Sequence, residues 1–359
     1  MVNASHDIND SLSDLISLDA SPKFMEEAFQ EVANIISKAL VVIGIFGILG
    51  NILTLVVYAK LGFSETIHMS YVALAVSDFG CLLTLLYMCF CFSYLLEAIL
   101  LRYRMRTDIT LFANFTGAWP HHGFTRTPAM LTAWVSFERC LCVIFPTRVK
   151  LMITRKVTKV VLAFIYVIGC CPVVLAFVGM QTEKVFDPET NFTTLILKYA
   201  DQTQLNRANQ IAFILYGAAY PLLSWVMVVV CATFLITALK RSVRWRSINS
   251  RASAGATGSG DAGSTKISLK ETRVTRTVVI IACAFIFFSF PIAAIVVFAL
   301  INREFSVNGE LHFPLMISVA ISFLFSGLNS SVNIVVYTIT GSRFRSTLVH
   351  LFQPKLRKT

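Results

Sequence analysis

Charged residues are scarce in this sequence of 359 residues. Asp, Glu, Lys and Arg make up 14% of the chain, against 56% hydrophobic residues and a mean hydropathy of +0.70. Soluble globular domains carry about 25% charged residues. This composition therefore excludes an ordinary soluble fold and predicts a protein that lies in a lipid bilayer.

The signatures of catalysis and of metal binding are also lacking. The nine cysteines have no metal-ligand spacing and indicate no disulfide framework, so we interpret most of them as packing residues. We find no nucleophile with a base and an orienting partner, no phosphate loop and no zinc motif. We therefore expect no enzyme activity, no cofactor and no metal.

Seven apolar runs are long enough to cross a membrane, which takes about 20 residues of helix. They lie at 36–59, 67–96, 111–144, 154–179, 208–240, 270–301 and 312–340. The third run has the lowest hydropathy, because the stretch WPHHGFTRTP interrupts it. The sequence predicts an all-α membrane protein, a seven-transmembrane helix bundle.

The segments around these runs differ in composition. Residues 1–35 are polar and acidic, lack a cleavable signal peptide and are predicted to form an extracellular N-terminal tail before the transmembrane domain at 36–340. The stretch 241–269 is rich in Gly, Ala, Ser and Thr, which indicates a flexible cytoplasmic loop. Residues 341–359 predict a short amphipathic eighth helix at the membrane interface and a cytoplasmic tail.

Lys and Arg are concentrated in alternate connections, which predicts the orientation. They place the N-terminus outside and the C-terminus in the cytoplasm of a multi-pass plasma-membrane protein. The net charge of +11 then reflects topology and anionic lipids, so we expect no nucleic-acid partner. The glycosylation sequons agree with this topology, since they fall on the outer side or at its membrane edge: Asn3, Asn9, Asn114 and Asn191. A further sequon at Asn329 lies inside the seventh run and is expected to be unused.

Asp78 lies in the middle of the second run, where an ionised group needs polar partners. The first and seventh runs offer Asn51, Asn329, Asn333 and Tyr337. We predict a buried polar network that can hold a cation or a proton and can repack. The alternative is a passive structural set of hydrogen bonds.

Glu138 and Arg139 form a charged pair at the cytoplasmic end of the third run. Adjacent helical residues face different ways, so we expect Arg139 to reach a second acid. Glu271, at the start of the sixth run, has a suitable depth. We call Glu138, Arg139 and Glu271 the arginine latch, and its breaking would open a cytoplasmic cleft. The alternative is that Arg139 extends to the lipid surface.

The ordered set of motifs resembles the rhodopsin-like (class A) G-protein-coupled receptors over nearly the whole membrane region. The matching stretches are GN at Asn51, LAVSD at Asp78, ERC at Arg139, LNSSVNIVVY in the seventh run, Phe344 at the start of the eighth helix, and Pro146, Pro172, Pro221 and Pro291. The stretch WPHHGFTR ahead of FERCLCVIFPTRVK resembles a divergent, molluscan-type invertebrate group regarded as candidate chemosensory receptors.

The sequence departs from the family pattern in several places. Both cysteines of the family's extracellular disulfide are missing, because residues 92–139 and 172–230 contain none. Ser289 replaces the tryptophan of the sixth helix, and Ile334 replaces the proline of the seventh. Pro128 stands where the resemblance implies a sodium-site serine.

The resemblance also implies where a ligand would bind. Counting from Arg139 places His121, His122 and Thr125 on the pocket-facing turns of the third helix, with Arg126 deeper. Aromatic residues could line the same cavity: Phe290, Phe298 and Phe323. His121 replaces the aspartate of amine receptors, and the seventh run lacks the lysine of an opsin. Arg126 could bind an acidic ligand group or pair inside the protein.

The function implied by the resemblance is reception of an extracellular ligand, and activation of heterotrimeric G proteins by opening of a cleft between helices three, six and seven. We expect a small-molecule chemosensory cue. A neuropeptide receptor and a non-signalling ligand sink remain alternatives. Arrestin and receptor kinases are further expected partners, because serines stand among arginines in the third cytoplasmic loop: Ser242, Ser247, Ser250 and Ser253.

Overall fold

The computed structural model describes residues 22–63, 65–145, 148–178, 180–199, 211–212, 214–253, 262–306 and 309–353. In this part of the chain, the first to seventh membrane helices are Pro22–Leu61, Thr66–Cys91, Trp119–Ile144, Arg155–Cys170, Tyr220–Ser253, Ala262–Ile301 and His312–Thr340. The terminal helix, Ser342–Phe352, follows directly. These elements are the predicted bundle and its eighth helix.

Shorter helical segments extend or join the long ones. They are Tyr94–Arg102, Ile109–Ala113, the π-helical Asn114–Ala118 and Ile214–Ala219, the single turn Val149–Met152, and the 3₁₀ segment Cys171–Phe177. The 3₁₀ segment begins one residue before Pro172. Because proline lacks the amide hydrogen that a helix needs, the regular fourth helix ends there.

Six of the membrane helices are long and apolar enough to cross a bilayer; the exception is the third. It contains Arg126, Glu138 and Arg139, which other helices bury. The third helix packs against the second, fourth, fifth and sixth, so its polar groups face protein and not lipid. Its low hydropathy follows from this central position.

Several helix ends differ from the sequence prediction. The first helix begins at Pro22 and not near residue 36, and Val32 packs with Ile36 and Leu40. The segment 241–269, expected to be a flexible loop, is helical up to Ser253 and again from Ala262. Hydropathy marks only the part of a helix that lies in lipid, whereas intrahelical hydrogen bonds continue the helix beyond it.

A three-stranded sheet lies at one end of the bundle, which we call the sheet end; the opposite end is the Arg139 end. The strands are β1 (Met105–Thr107), β2 (Met180–Asp187) and β3 (Phe192–Tyr199), in the order β1-β3-β2. β1 pairs in parallel with β3, and β2 pairs antiparallel. The sequence prediction contained no strand.

The first and seventh helices approach closely at Gly47. A Cβ atom added there would clash with the side chain of Ser331 and with Leu82. Ser331 also donates a hydrogen bond to the carbonyl oxygen of Ile43. This close packing places Asn51, one turn further along the first helix, within reach of the seventh.

Candidate functional site

Two members of the arginine latch, Glu138 and Arg139, are buried at the Arg139 end. Nη2 of Arg139 lies 2.9 Å from Oε1 of Glu138, and the Glu138 side chain has no solvent exposure. The hydroxyl of Thr66 donates to the same Oε1 at 2.6 Å. The predicted latch holds Arg139 between Glu138 and Glu271, and the structure pairs Arg139 with Glu138, because the two side chains are long enough to meet beside the helix. Thr66 links the pair to the second helix.

Glu271 lies on the sixth helix, but its side chain is outside the described part of the chain, so its contact with Arg139 stays a prediction. Other bonds join the sixth helix to the seventh and to the terminal helix at this end. Thr277 donates to Thr340 at 2.8 Å, and Nη1 of Arg273 donates to the hydroxyl of Ser342 at 2.6 Å. Sequence reasoning missed these pairs, because hydroxyl residues are common in both helices.

Asp78 is fully buried, and the side-chain amide of Asn333 donates to its Oδ2 at 2.7 Å. Oδ1 has no hydrogen-bond partner among the described residues. Asn51 binds elsewhere, since its amide donates to the carbonyl oxygens of Gly47 and Ser330 at 3.0 and 2.9 Å. The structure thus joins Asp78 and Asn333 directly, and it links Asn51 to the seventh-helix backbone.

Two other predicted members of the network, Asn329 and Tyr337, make no hydrogen bond to Asp78 in the described part of the chain. Asn329 is half-buried. Tyr337 packs its ring against Tyr58, Tyr71 and Phe344, with ring centroids 4.8 to 5.6 Å apart. Its buried hydroxyl has no hydrogen-bond partner within the described ranges. Tyr337 is therefore a packing residue of an aromatic cluster that joins the first, second and seventh helices to the terminal helix.

His121 lies in the sheet-end half of the third helix and is 1% exposed. Its Nδ1 lies 3.1 Å from the hydroxyl of Thr84, and its Nε2 lies 3.0 Å from the hydroxyl of Thr125. The ring of Phe323 packs edge-on at 5.3 Å. The second, third and seventh helices therefore meet at this residue, and both ring nitrogens have partners.

His122 and Arg126 face the fifth helix. The ring of His122 stacks on Tyr216 with a centroid distance of 6.4 Å, and the Tyr216 hydroxyl donates to the carbonyl oxygen of Gly169 at 2.7 Å. Arg126 is 6% exposed. The sequence analysis missed Tyr216, although its position near Pro221 in the fifth helix could have indicated it. We call His121, His122, Thr125, Arg126 and Tyr216 the histidine cluster.

The predicted aromatic lining is only partly brought together. Phe323 contacts His121, but Phe290 is 60% exposed and faces outward. It borders an apolar cavity of about 530 Å³ between the sixth and seventh helices. Phe298 packs against Phe305. Phe290 and Phe298 therefore do not lie with His121, because a helix turns these positions towards another face.

Among the described residues, one candidate glycosylation site is exposed to solvent at the sheet end. Asn191 is exposed in the turn between β2 and β3, with φ of 56°, a left-handed conformation that asparagine tolerates. In the same turn, hydrogen bonds from the Thr190 hydroxyl and the Glu189 amide lower the pKa of Asp187. Asn3 and Asn9 lie outside the described residues, and so does the side chain of Asn114.

The described residues contain no group of three or more His, Cys, Asp and Glu side chains that could hold a metal ion. The cysteines are all free thiols. Within the described ranges, buried polar groups lie at three places along the bundle: His121 with Arg126, Asp78, and the pair of Glu138 and Arg139.

Comparison with known families identifies this arrangement. The 7 transmembrane receptor (rhodopsin family) pattern matches residues 50–337, which is most of the chain. The chain belongs to the rhodopsin family. No curated protein sequence matches it significantly. As a member of this family it is a G-protein-coupled receptor, a multi-pass plasma-membrane protein that responds to an extracellular ligand and acts on a heterotrimeric G protein.

Proposed function

We propose that this receptor binds a small-molecule chemosensory cue at the histidine cluster and activates its G protein by opening the Arg139 end between the third, sixth and seventh helices. The distribution of basic residues supports an extracellular sheet end and a cytoplasmic Arg139 end. A ligand shifts such an equilibrium only as far as it binds one conformation better than the other.

The single observation that carries this proposal is the buried pair of Glu138 and Arg139. An ion pair removed from water costs free energy that its hydrogen bonds must offset. Here Thr66 supplies an additional donor to Oε1 of Glu138, whereas Oε2 has no hydrogen-bond partner among the described residues. A solvated surface pair would need no such support. The pair lies within the third helix and is tied to the second by Thr66, so an outward movement of the sixth helix would break the predicted contact between Arg139 and Glu271 and leave the pair itself in place.

The test is basal nucleotide exchange on a G protein at matched surface expression. We expect Glu271→Ala to raise the basal rate, because it removes the second acid of the latch, and Arg139→Ala to abolish it. Lys156→Ala is the control, since Lys156 is an exposed basic residue of the same end and its loss should change nothing. If every variant is as inactive as the wild type while reaching the surface, the non-signalling ligand sink replaces this proposal.

The ligand class has one competing candidate. A neuropeptide receptor is the alternative, and the accessible hairpin of β2 and β3 could contact a peptide. Responses to fractionated small molecules and to amidated peptides separate the two. Regulation by kinases and arrestin would act at Ser242, Ser247, Ser250 and Ser253, whose side chains lie outside the described part of the chain. Alanine at these positions should slow desensitisation, and unchanged internalisation would count against the idea.

A further inference from the structure

Arg126 is a buried cation without a counter-charge among the described residues. Its side chain is 6% exposed, and its guanidinium makes no hydrogen bond or ion pair to any residue that the structure describes; Nε is fully buried. A charged side chain at membrane depth costs several kcal/mol unless it is paired or hydrated. Burial of Arg126 at this depth therefore requires a partner other than the described side chains.

The described groups of the histidine cluster cannot supply that charge. Apart from Arg126, the cluster consists of imidazole rings, a hydroxyl and a phenol, and it contains no carboxylate. In the described ranges, the buried carboxylates are engaged elsewhere, Asp78 with Asn333 and Glu138 with Arg139. No described carboxylate therefore compensates this cation.

Most neutral polar groups of the histidine cluster are already hydrogen-bonded. The two ring nitrogens of His121 lie within hydrogen-bond distance of the Thr84 and Thr125 hydroxyls, and the Tyr216 hydroxyl donates to the carbonyl oxygen of Gly169. Among the described groups of this cluster, the guanidinium is the charged one that keeps unused donors. Arg126 lies one helical turn from His122, whose ring stacks on Tyr216, and these rings suit an organic group attached to an anion.

We propose that Arg126 is the counter-charge for the carboxylate of a small organic acid, which is the ligand class of this receptor. A guanidinium donates two parallel hydrogen bonds to a carboxylate and also neutralises its negative charge. An amide of the same shape as the ligand carries no negative charge, so it lacks the electrostatic attraction. The inference rests on the proposed function, because it assigns chemistry to the same ligand site. It also explains why a rhodopsin-family chain without the aspartate of amine receptors places a positive charge in its third helix.

The test is thermal unfolding of the purified receptor, followed by tryptophan fluorescence, with sodium propionate as the probe. Propionamide serves as the neutral isostere, and sodium chloride at the same ionic strength serves as the salt control. We expect propionate to raise Tm by about 2 °C or more over chloride, as a ligand selective for the folded state does. Propionamide should leave Tm unchanged.

Variants assign the effect to Arg126. Arg126→Gln should lose the response to propionate and should be at least as stable as the wild type in chloride, since it removes an unpaired buried cation. Arg126→Lys should retain part of the response. Arg303→Gln, a change in an exposed arginine of the sheet end, should respond as the wild type does.

Three outcomes overturn the proposal. The first is an equal propionate effect in the wild type and in Arg126→Gln, which indicates a general salt effect. The second is an Arg126-dependent stabilisation by chloride as large as that by propionate, which assigns the site to an inorganic anion. The third is no propionate response together with a much lower Tm for Arg126→Gln, which makes Arg126 structural. This test reads Tm, whereas the latch test reads nucleotide exchange. A failure of one proposal is therefore distinguishable from a failure of the other.

Discussion

The hydroxyl of Thr107 donates a hydrogen bond to the carbonyl oxygen of Leu195 at 3.2 Å, across 88 residues of sequence. The amide of Thr193 donates to the carbonyl oxygen of Arg104 at 2.8 Å, and the Arg106 guanidinium lies 4.5 Å from the ring centroid of Phe192. These contacts join the connection before the third helix to the connection after the fourth. In the family that the sequence resembles, a disulfide joins the top of the third helix to the connection after the fourth, and both of its cysteines are missing here. The β1–β3 pairing tethers that connection to the segment just before the third helix.

Reducing agents should therefore leave the sheet end intact. All nine cysteines are free thiols, so dithiothreitol has no disulfide to reduce. We expect Tm of the purified receptor to be the same with and without dithiothreitol. A family member that contains the disulfide is the positive control. A fall in Tm on reduction would show that a disulfide holds this receptor.

Breaking the central strand should loosen the sheet end selectively. Leu195→Pro removes the amide hydrogen of a residue that lies between β1 and β2 in the sheet. We expect hydrogen exchange in 180–199 to accelerate about tenfold or more, while exchange in the second and seventh helices stays unchanged. Leu195→Val keeps the amide and a strand-forming side chain, so it should exchange as the wild type does. Equal acceleration by both variants would contradict a tether based on backbone pairing.

The bond between Asn333 and Asp78 should carry measurable stability. Asn333→Ala leaves Asp78 buried without its amide donor, which costs about 2 kcal/mol. Asn329→Ala is the matched control, because Asn329 is only half-buried four residues earlier on the same helix. We expect a clearly lower Tm for Asn333→Ala alone. Equal losses for the two variants would argue that Asp78 draws its stabilisation from the network as a whole.

The hydroxyl pair of Thr277 and Thr340 should restrain the sixth helix. Replacing Thr277 by valine removes a 2.8 Å bond to the seventh helix and retains the shape of the side chain. A loss of about 1 kcal/mol from the closed state raises basal nucleotide exchange about fivefold when the open state is rare. Thr233→Val is the control, since Thr233 is exposed and bonds only to its own helix. A basal rate for Thr277→Val equal to that of the control would remove this pair from the activation pathway.

Much of the bundle could be predicted from sequence, because the signals are local. A run of about 20 apolar residues must satisfy its backbone hydrogen bonds internally, so it forms a helix wherever it stands in lipid. The seventh helix was predicted at 312–340 and occupies His312–Thr340. Charged residues in such runs, notably Asp78, Glu138 and Arg139, indicated buried polar sites for the same reason.

The choice of partners was not local, and only the tertiary structure decided it. From sequence alone, three asparagines and one tyrosine were candidate partners of Asp78. In the folded bundle Asn333 donates a hydrogen bond to it, and the Tyr337 ring packs in an aromatic cluster instead. Phe290 and Phe323 were equal candidates until the helices were placed, and Phe290 then faced outward. Counting residues tells which side chains share a face of one helix. Which way that face points depends on how the neighbouring helices pack.

The amino-acid sequence by itself thus determined the membrane helices, their order and the buried charges, since each follows from the cost of placing polar groups in hydrocarbon. The three-stranded sheet was decided by tertiary structure alone. β1 has only three residues, and β3, its partner, lies far along the chain. Strands so short become stable only when a distant segment supplies their hydrogen bonds, and the folded bundle brings those segments together.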